Sequence, residues 1–114
     1  MPDAMRSTVM VDGVEMPCLA KGIGGGCDWW FAVPMENGWV AWVQAYERRH
    51  ETEYRVRCVT PEESERVLDF EIPTAATVYV RDDRPPMEFP RSDRDLRETL
   101  VDLSRWPSPR SVDA

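Results

Sequence analysis

Lysine and histidine are almost missing from this chain of 114 residues: of its 14 cationic side chains only Lys21 is a lysine, and His50 is the one histidine. A lone imidazole supplies a general base only where cysteines or carboxylates converge on it. Its neighbours Arg48, Arg49, Glu51 and Glu53 read as a solvated turn. Cysteine is sparse too. Cys18, Cys27 and Cys58 are odd in number, contain no C-x-x-C pair, and are spaced by 9 and 31 residues, which fits no common zinc knuckle. A site built from the three thiols and His50 is therefore not expected. Reduced, buried cysteines in a cytoplasmic protein are. The expectation is a protein with no cofactor, no metal and no catalytic set.

Long apolar runs are absent. The longest, Trp29 to Met35, has seven residues with a proline inside, against about 20 for a membrane-spanning helix. The opening MPDAMRSTVM lacks the basic-then-apolar pattern of a secretory signal. No membrane partner is expected. Positive charge is in deficit as well: the net charge is −7. A nucleic-acid binder needs cations to displace phosphate counterions, so that class is excluded too. The charge suits a partner with a basic surface, which opposite fields bring in faster. Phosphate-loop motifs are missing in the same way. The glycines of KGIGGGCDWW run into a strand pattern rather than a helix N-terminus, so residues 21–26 read as a connector.

What is present is hairpin chemistry. Asp12-Gly13 supplies the positive φ angles of a tight turn between strands at residues 7–11 and 14–19. Asn37-Gly38 does the same between residues 27–35 and 39–46. With Asn37 and Gly38 as the two central turn residues, Val33 faces Trp42 and Trp29 faces Tyr46. Alternation then gathers Trp29, Phe31, Val33, Met35, Val40, Trp42, Gln44 and Tyr46 on one broad aromatic face. Trp39, at the tip, is the tryptophan expected to be exposed.

Residues 53–59 alternate cleanly, with Tyr54, Val56 and Cys58 inward and Arg55 and Arg57 on a wet face. Thr60-Pro61-Glu62-Glu63 starts a helix over residues 61–69, with Thr60 as cap, Pro61 in the first turn and Glu63 closing a capping box. Val67 and Leu68 are its apolar contribution. Residues 76–81 read as a strand. Residues 81–90 carry three prolines and read as a loop. Ser92 caps a last helix whose stripe is Leu96, Leu100 and Leu103.

The order ββ-ββ-β-α-β-α predicts one α+β domain over residues 1–106, with a mostly antiparallel sheet of five to six strands, two short helices and a flexible tail at 107–114. Two short helices hide little of an aromatic hairpin. The functional expectation is thus a small acidic protein-binding module, in its most concrete form an immunity- or antitoxin-like inhibitor covering a basic enzyme. Glu36, Trp39, Trp42, Tyr46 and Glu47 are its candidate partner-binding residues. Self-association through the sheet is a variant. The alternative is a sheet or barrel holding an apolar ligand against Trp29, Phe31, Val33 and Trp42.

Overall fold

Six strands and two helices carry out most of this pattern in the computed structural model, which describes residues 7–24, 26–69 and 84–109, with residues 66–69 described by their helix alone. The strands are β1 (Ser7–Val11), β2 (Val14–Cys18), β3 (Ala20–Ile23), β4 (Trp29–Pro34), β5 (Val40–Glu47) and β6 (Thr52–Val59). The helices are α1 (Pro61–Asp69) and α2 (Asp93–Leu103). The architecture is α+β with antiparallel sheets: β1 pairs with β2, and β3-β4-β5-β6 form a four-stranded meander. Among the described residues no helix is long and apolar enough to cross a membrane. The strand expected at residues 76–81 and the side chains of Val67 and Leu68 lie outside the described residues.

The expected loop at residues 21–26 is a strand over its first part. β2 and β3 are one extended stretch bent at Leu19, whose N–H donates to Ala32 O at 2.8 Å. The first half pairs with β1 and the second with β4. Propensity argues against a strand in Lys21-Gly22-Ile23-Gly24, but Gly22 sits opposite Trp30. A Cβ placed on Gly22 would lie 2.9 Å from Trp30 Cζ2 and 3.0 Å from Cε2. The missing side chain is what lets the indole lie across β3. The ring is pinned from its other side by Trp42, stacked 5.1 Å away between centroids. Gly22→Ala is therefore expected to destabilise the fold by about 1–3 kcal/mol, the usual cost of overpacking, read as a lower urea midpoint with an unchanged m-value.

The register of the central hairpin differs from the expected one by a residue. Met35 N–H donates to Trp39 O at 2.9 Å and Gly38 N–H to Met35 O at 3.0 Å. The loop thus has three residues, Glu36, Asn37 and Gly38, with Gly38 at φ +98° closing it as a bulge. A slip of one turns every side chain of β5 to the other face. Val33 now faces Ala41, and Trp42 faces Ala32.

The single broad aromatic face does not form. Trp29, Phe31, Val33 and Trp39 share the inner face with Ala41, Val43 and Ala45. Trp30, Trp42 and Tyr46 lie on the outer face.

The small residues of β5 let α2 approach the inner face. Leu96, Leu100 and Leu103 are buried there with Val11, Cys18, Phe31, Tyr54, Val56 and Cys58. The β1–β2 hairpin folds over the same face, with Val9 and Met16 packed on the core. Its turn forms as expected, with Asp12 at φ 52° and Gly13 at φ 76°. Ser92 caps α2 by accepting from Asp95 N–H at 3.0 Å. The far end of α2 has no basic residue in its last turn. Asn37 takes over, its Nδ2 donating to Leu103 O at 2.8 Å and Trp106 O at 3.0 Å.

That clamp also holds the first residues of the expected tail. Trp39 Nε1 donates to Pro107 O at 2.8 Å, and Pro109 lies against Gly38.

Candidate functional site

The β6 edge of the sheet carries a pairing that the sequence did not suggest. In the proline-rich stretch after residue 84, Glu88 and Val56 exchange backbone hydrogen bonds at 2.9 Å, and Tyr54 N–H donates to Pro90 O at 2.8 Å. Phe89 therefore stands opposite Arg55, on the outer face. Alternation along β5 and β6 brings Tyr46, Glu53 and Arg55 to that face, and Arg48 reaches in from the β5–β6 turn.

Together with Arg91 and the edge of Tyr54 these residues line a groove of about 230 Å³. The Arg55 guanidinium lies 5.3 Å from the Tyr46 ring centroid and that of Arg48 5.8 Å, so the phenol is flanked by two cations. Phe89 is 62% exposed. Glu53 binds Arg48 at 3.3 Å, and Arg91 is 4.0 Å from Glu51. Arg55 has no carboxylate partner among the described residues.

The floor of this region is fixed from the inner side. Tyr54 OH donates to Asp93 Oδ1 at the start of α2. Burial, and then this bond to a carboxylate, push the phenol well above its ordinary value. Next along the outer face, Arg57 sits opposite Trp42. It was expected on a wet face and is instead buried. Burial, then the neighbouring Arg55 charge, push it below the ordinary guanidinium value.

The expected partner-binding residues divide. Tyr46 is half-buried and lines the groove, and Glu47 is exposed beside it, with its N–H donating to Asp28 Oδ2 at 2.6 Å. Glu36 is exposed in the β4–β5 loop, at the other end of an eight-residue strand, roughly 25 Å away along the chain. Trp39 is 0% exposed and Trp42 1%. Neither ring offers a surface, because the register turns Trp39 into the main core and Trp42 onto Trp30. The same register separates the expected ligand lining: Trp42 stands on the opposite face from Trp29, Phe31 and Val33, so the four do not enclose one cavity.

The thiols are not arranged for chemistry. Burial pushes Cys18 and Cys27 up, and pushes Cys58 up to about 12 with a small offset from Arg84. A nucleophilic cysteine needs the opposite shift. Among the described residues no three His, Cys, Asp or Glu side chains converge to hold a metal ion.

Sequence reasoning missed Arg48, Arg91 and Phe89 as site residues. Arg55 was placed on the right face by alternation. Phe89 had no such signal, because the prolines around it hide a strand pairing. Set against known protein families, curated proteins and solved structures, the chain shows no match in any of the three comparisons.

Proposed function

We propose that this protein acts by binding another protein through the outer face of its sheet, at the end where Tyr46, Arg55 and Phe89 meet. The observation that carries the reading is Phe89: a large ring 62% exposed beside a tyrosine flanked by guanidinium groups. Exposed aromatics with adjacent arginines are the residue types that dominate interface energetics. The raised or inert cysteines and the scattered carboxylates give no competing catalytic reading the same support. The docking residues are accordingly Tyr46, Arg55 and Phe89, with Glu47 at the rim.

The more specific form, a neutralising partner that covers a basic enzyme, draws its support from the net charge of −7 and from exposed Glu36 and Glu47. In that form the carboxylates steer the encounter and the aromatic end anchors it. Self-association through the same face is the case in which the partner is a second copy.

The test compares the wild-type chain with Phe89→Ser as baits in an extract of the source cell. An exposed side chain contributes little to folding, so the variant keeps its melting curve. A partner held by wild type and recovered about tenfold less on the variant, the loss of one strong anchor, is the expected result. Equal recovery on both baits, or no protein that distinguishes them, counts against this face.

A further inference from the structure

Resting on the protein-binding reading, we infer that the groove beside Tyr46 takes a carboxylate-bearing segment of the partner polypeptide. The lining itself carries charge opposite in sign to that of the whole chain, inside a surround that includes Glu47, Glu51 beside Arg91 and Asp93 on Tyr54. Arg48, Arg55 and Arg91 line the groove against one lining carboxylate, Glu53. Glu53 is engaged by Arg48 at 3.3 Å, and Arg91 makes only a 4.0 Å approach to Glu51. Arg55 has the Tyr46 ring as its contact and no carboxylate among the described residues. A guanidinium fork matches a planar carboxylate with two parallel hydrogen bonds, an arrangement an ammonium cannot supply. Phe89 gives the groove an apolar wall for the stem or for a neighbouring side chain of the same segment.

Size and field select the occupant. The volume of about 230 Å³ lies below the ~300–1,000 Å³ of ordinary small-molecule sites. It suits one acidic side chain or a chain end laid along the open edge. Screening confines the arginine field to about 8 Å at physiological ionic strength. A short acidic segment is held within that range. A polynucleotide brings a row of phosphates past a chain of net charge −7, and most of them would meet repulsion.

The experiment is a titration of the full-length, isotope-labelled chain, followed by the Nε–H signals of its arginines. Three probes are used: a hexapeptide alternating aspartate with phenylalanine, the same peptide with asparagine for aspartate, and a short oligoribonucleotide. The expected result is movement of the Arg55 and Arg91 signals with the acidic peptide, and binding about tenfold weaker or worse for the asparagine peptide, as for one lost charge-assisted pair. Arg55→Gln and Arg91→Gln should each weaken the acidic peptide by a similar factor. Arg91 is mostly exposed, so its variant keeps the fold even if Arg55→Gln does not. Equal binding of the two peptides, signals that move elsewhere on the chain, no binding, or tighter binding of the oligonucleotide overturns the assignment. Such a failure leaves the bait comparison with Phe89→Ser to decide separately whether the face binds protein at all.

Discussion

Replacing Arg84 by methionine is expected to cost the fold about 3–5 kcal/mol, the range for breaking a buried ion pair from one side. Arg84 and Glu63 keep only 9% and 13% of their side-chain surface in water. Nη2 of Arg84 donates to both carboxylate oxygens of Glu63, at 2.8 and 3.0 Å. Nη1 donates to Cys58 O at the end of β6, and the guanidinium lies 5.8 Å from the Trp39 ring centroid. Glu63 also completes the capping box of α1: Thr60 N–H donates to its Oε1 at 2.8 Å, and its own N–H donates to Thr60 Oγ1 at 3.1 Å. One carboxylate thus ties the start of α1 to the chain returning at residue 84, and removing the arginine leaves that carboxylate buried without its counter-charge.

The pair also gives stability a defined pH dependence. Burial raises the Glu63 pKa, but the Thr60 N–H and Arg84 outweigh it, and the net shift is downward. A carboxyl held below its unfolded value contributes stability that is fully present above that value, about 4.3. The contribution is lost as pH falls through the lower, folded value. Wild type should therefore lose stability steadily below about pH 5, and Glu63→Gln should lose less over the same interval. Urea unfolding at stepped pH reads both effects. A flat difference between the two proteins across that interval would mean that Glu63 is not held ionised by this pair.

Local chemistry in the sequence located most elements and misjudged how they meet. The Asp12-Gly13 turn, the Thr60–Glu63 capping box, the Ser92 cap and the Leu96, Leu100, Leu103 stripe all depend on neighbours within four residues, and all were legible. The Asn37-Gly38 turn was legible as a turn but not in its type. Nothing within the pentapeptide Met35–Trp39 fixes whether Glu36 pairs with Trp39 or joins the loop and leaves that place to Met35. The choice is made at a distance, where the Asn37 amide caps the end of α2 and Trp39 finds the core.

From that one undetermined residue came the wrong sharing of aromatics between faces, and with it the expectation that Trp42 was a docking residue, whereas Trp39 was expected to be exposed from its place at the tip. β3 and the pairing of Glu88 with Val56 were illegible for a related reason. Glycines and prolines lower strand propensity locally, and only the partner strand, already in place, makes their extended conformation worthwhile. The groove is built across that second pairing, so its composition could not be read along the chain, although alternation did put Arg55 on the correct side.

Trp39→Ala separates the two readings of that tryptophan most directly. As a core residue with none of its surface in water, it should cost about 3–5 kcal/mol on truncation, through lost transfer energy and the cavity left behind. Against a total stability of ~5–15 kcal/mol for a domain, that brings the variant close to unfolding at ambient temperature. Trp39→Phe keeps most of the volume and loses the indole N–H that donates to Pro107 O at 2.8 Å. It should cost far less, about 1–2 kcal/mol, with the loss concentrated where residues 107–109 cross the β4–β5 loop. Amide exchange would then be faster at Arg105 and Trp106, whose N–H groups close the end of α2, and at Ser108, the one N–H between Pro107 and Pro109, while β5 and β6 stay protected. A docking tryptophan would behave in the opposite way. Its alanine variant would melt like wild type and fail only in partner capture. That outcome would put Trp39 back on the surface, undo the three-residue loop that turns it inward, and return the aromatic face to the side of the sheet from which the register removes it.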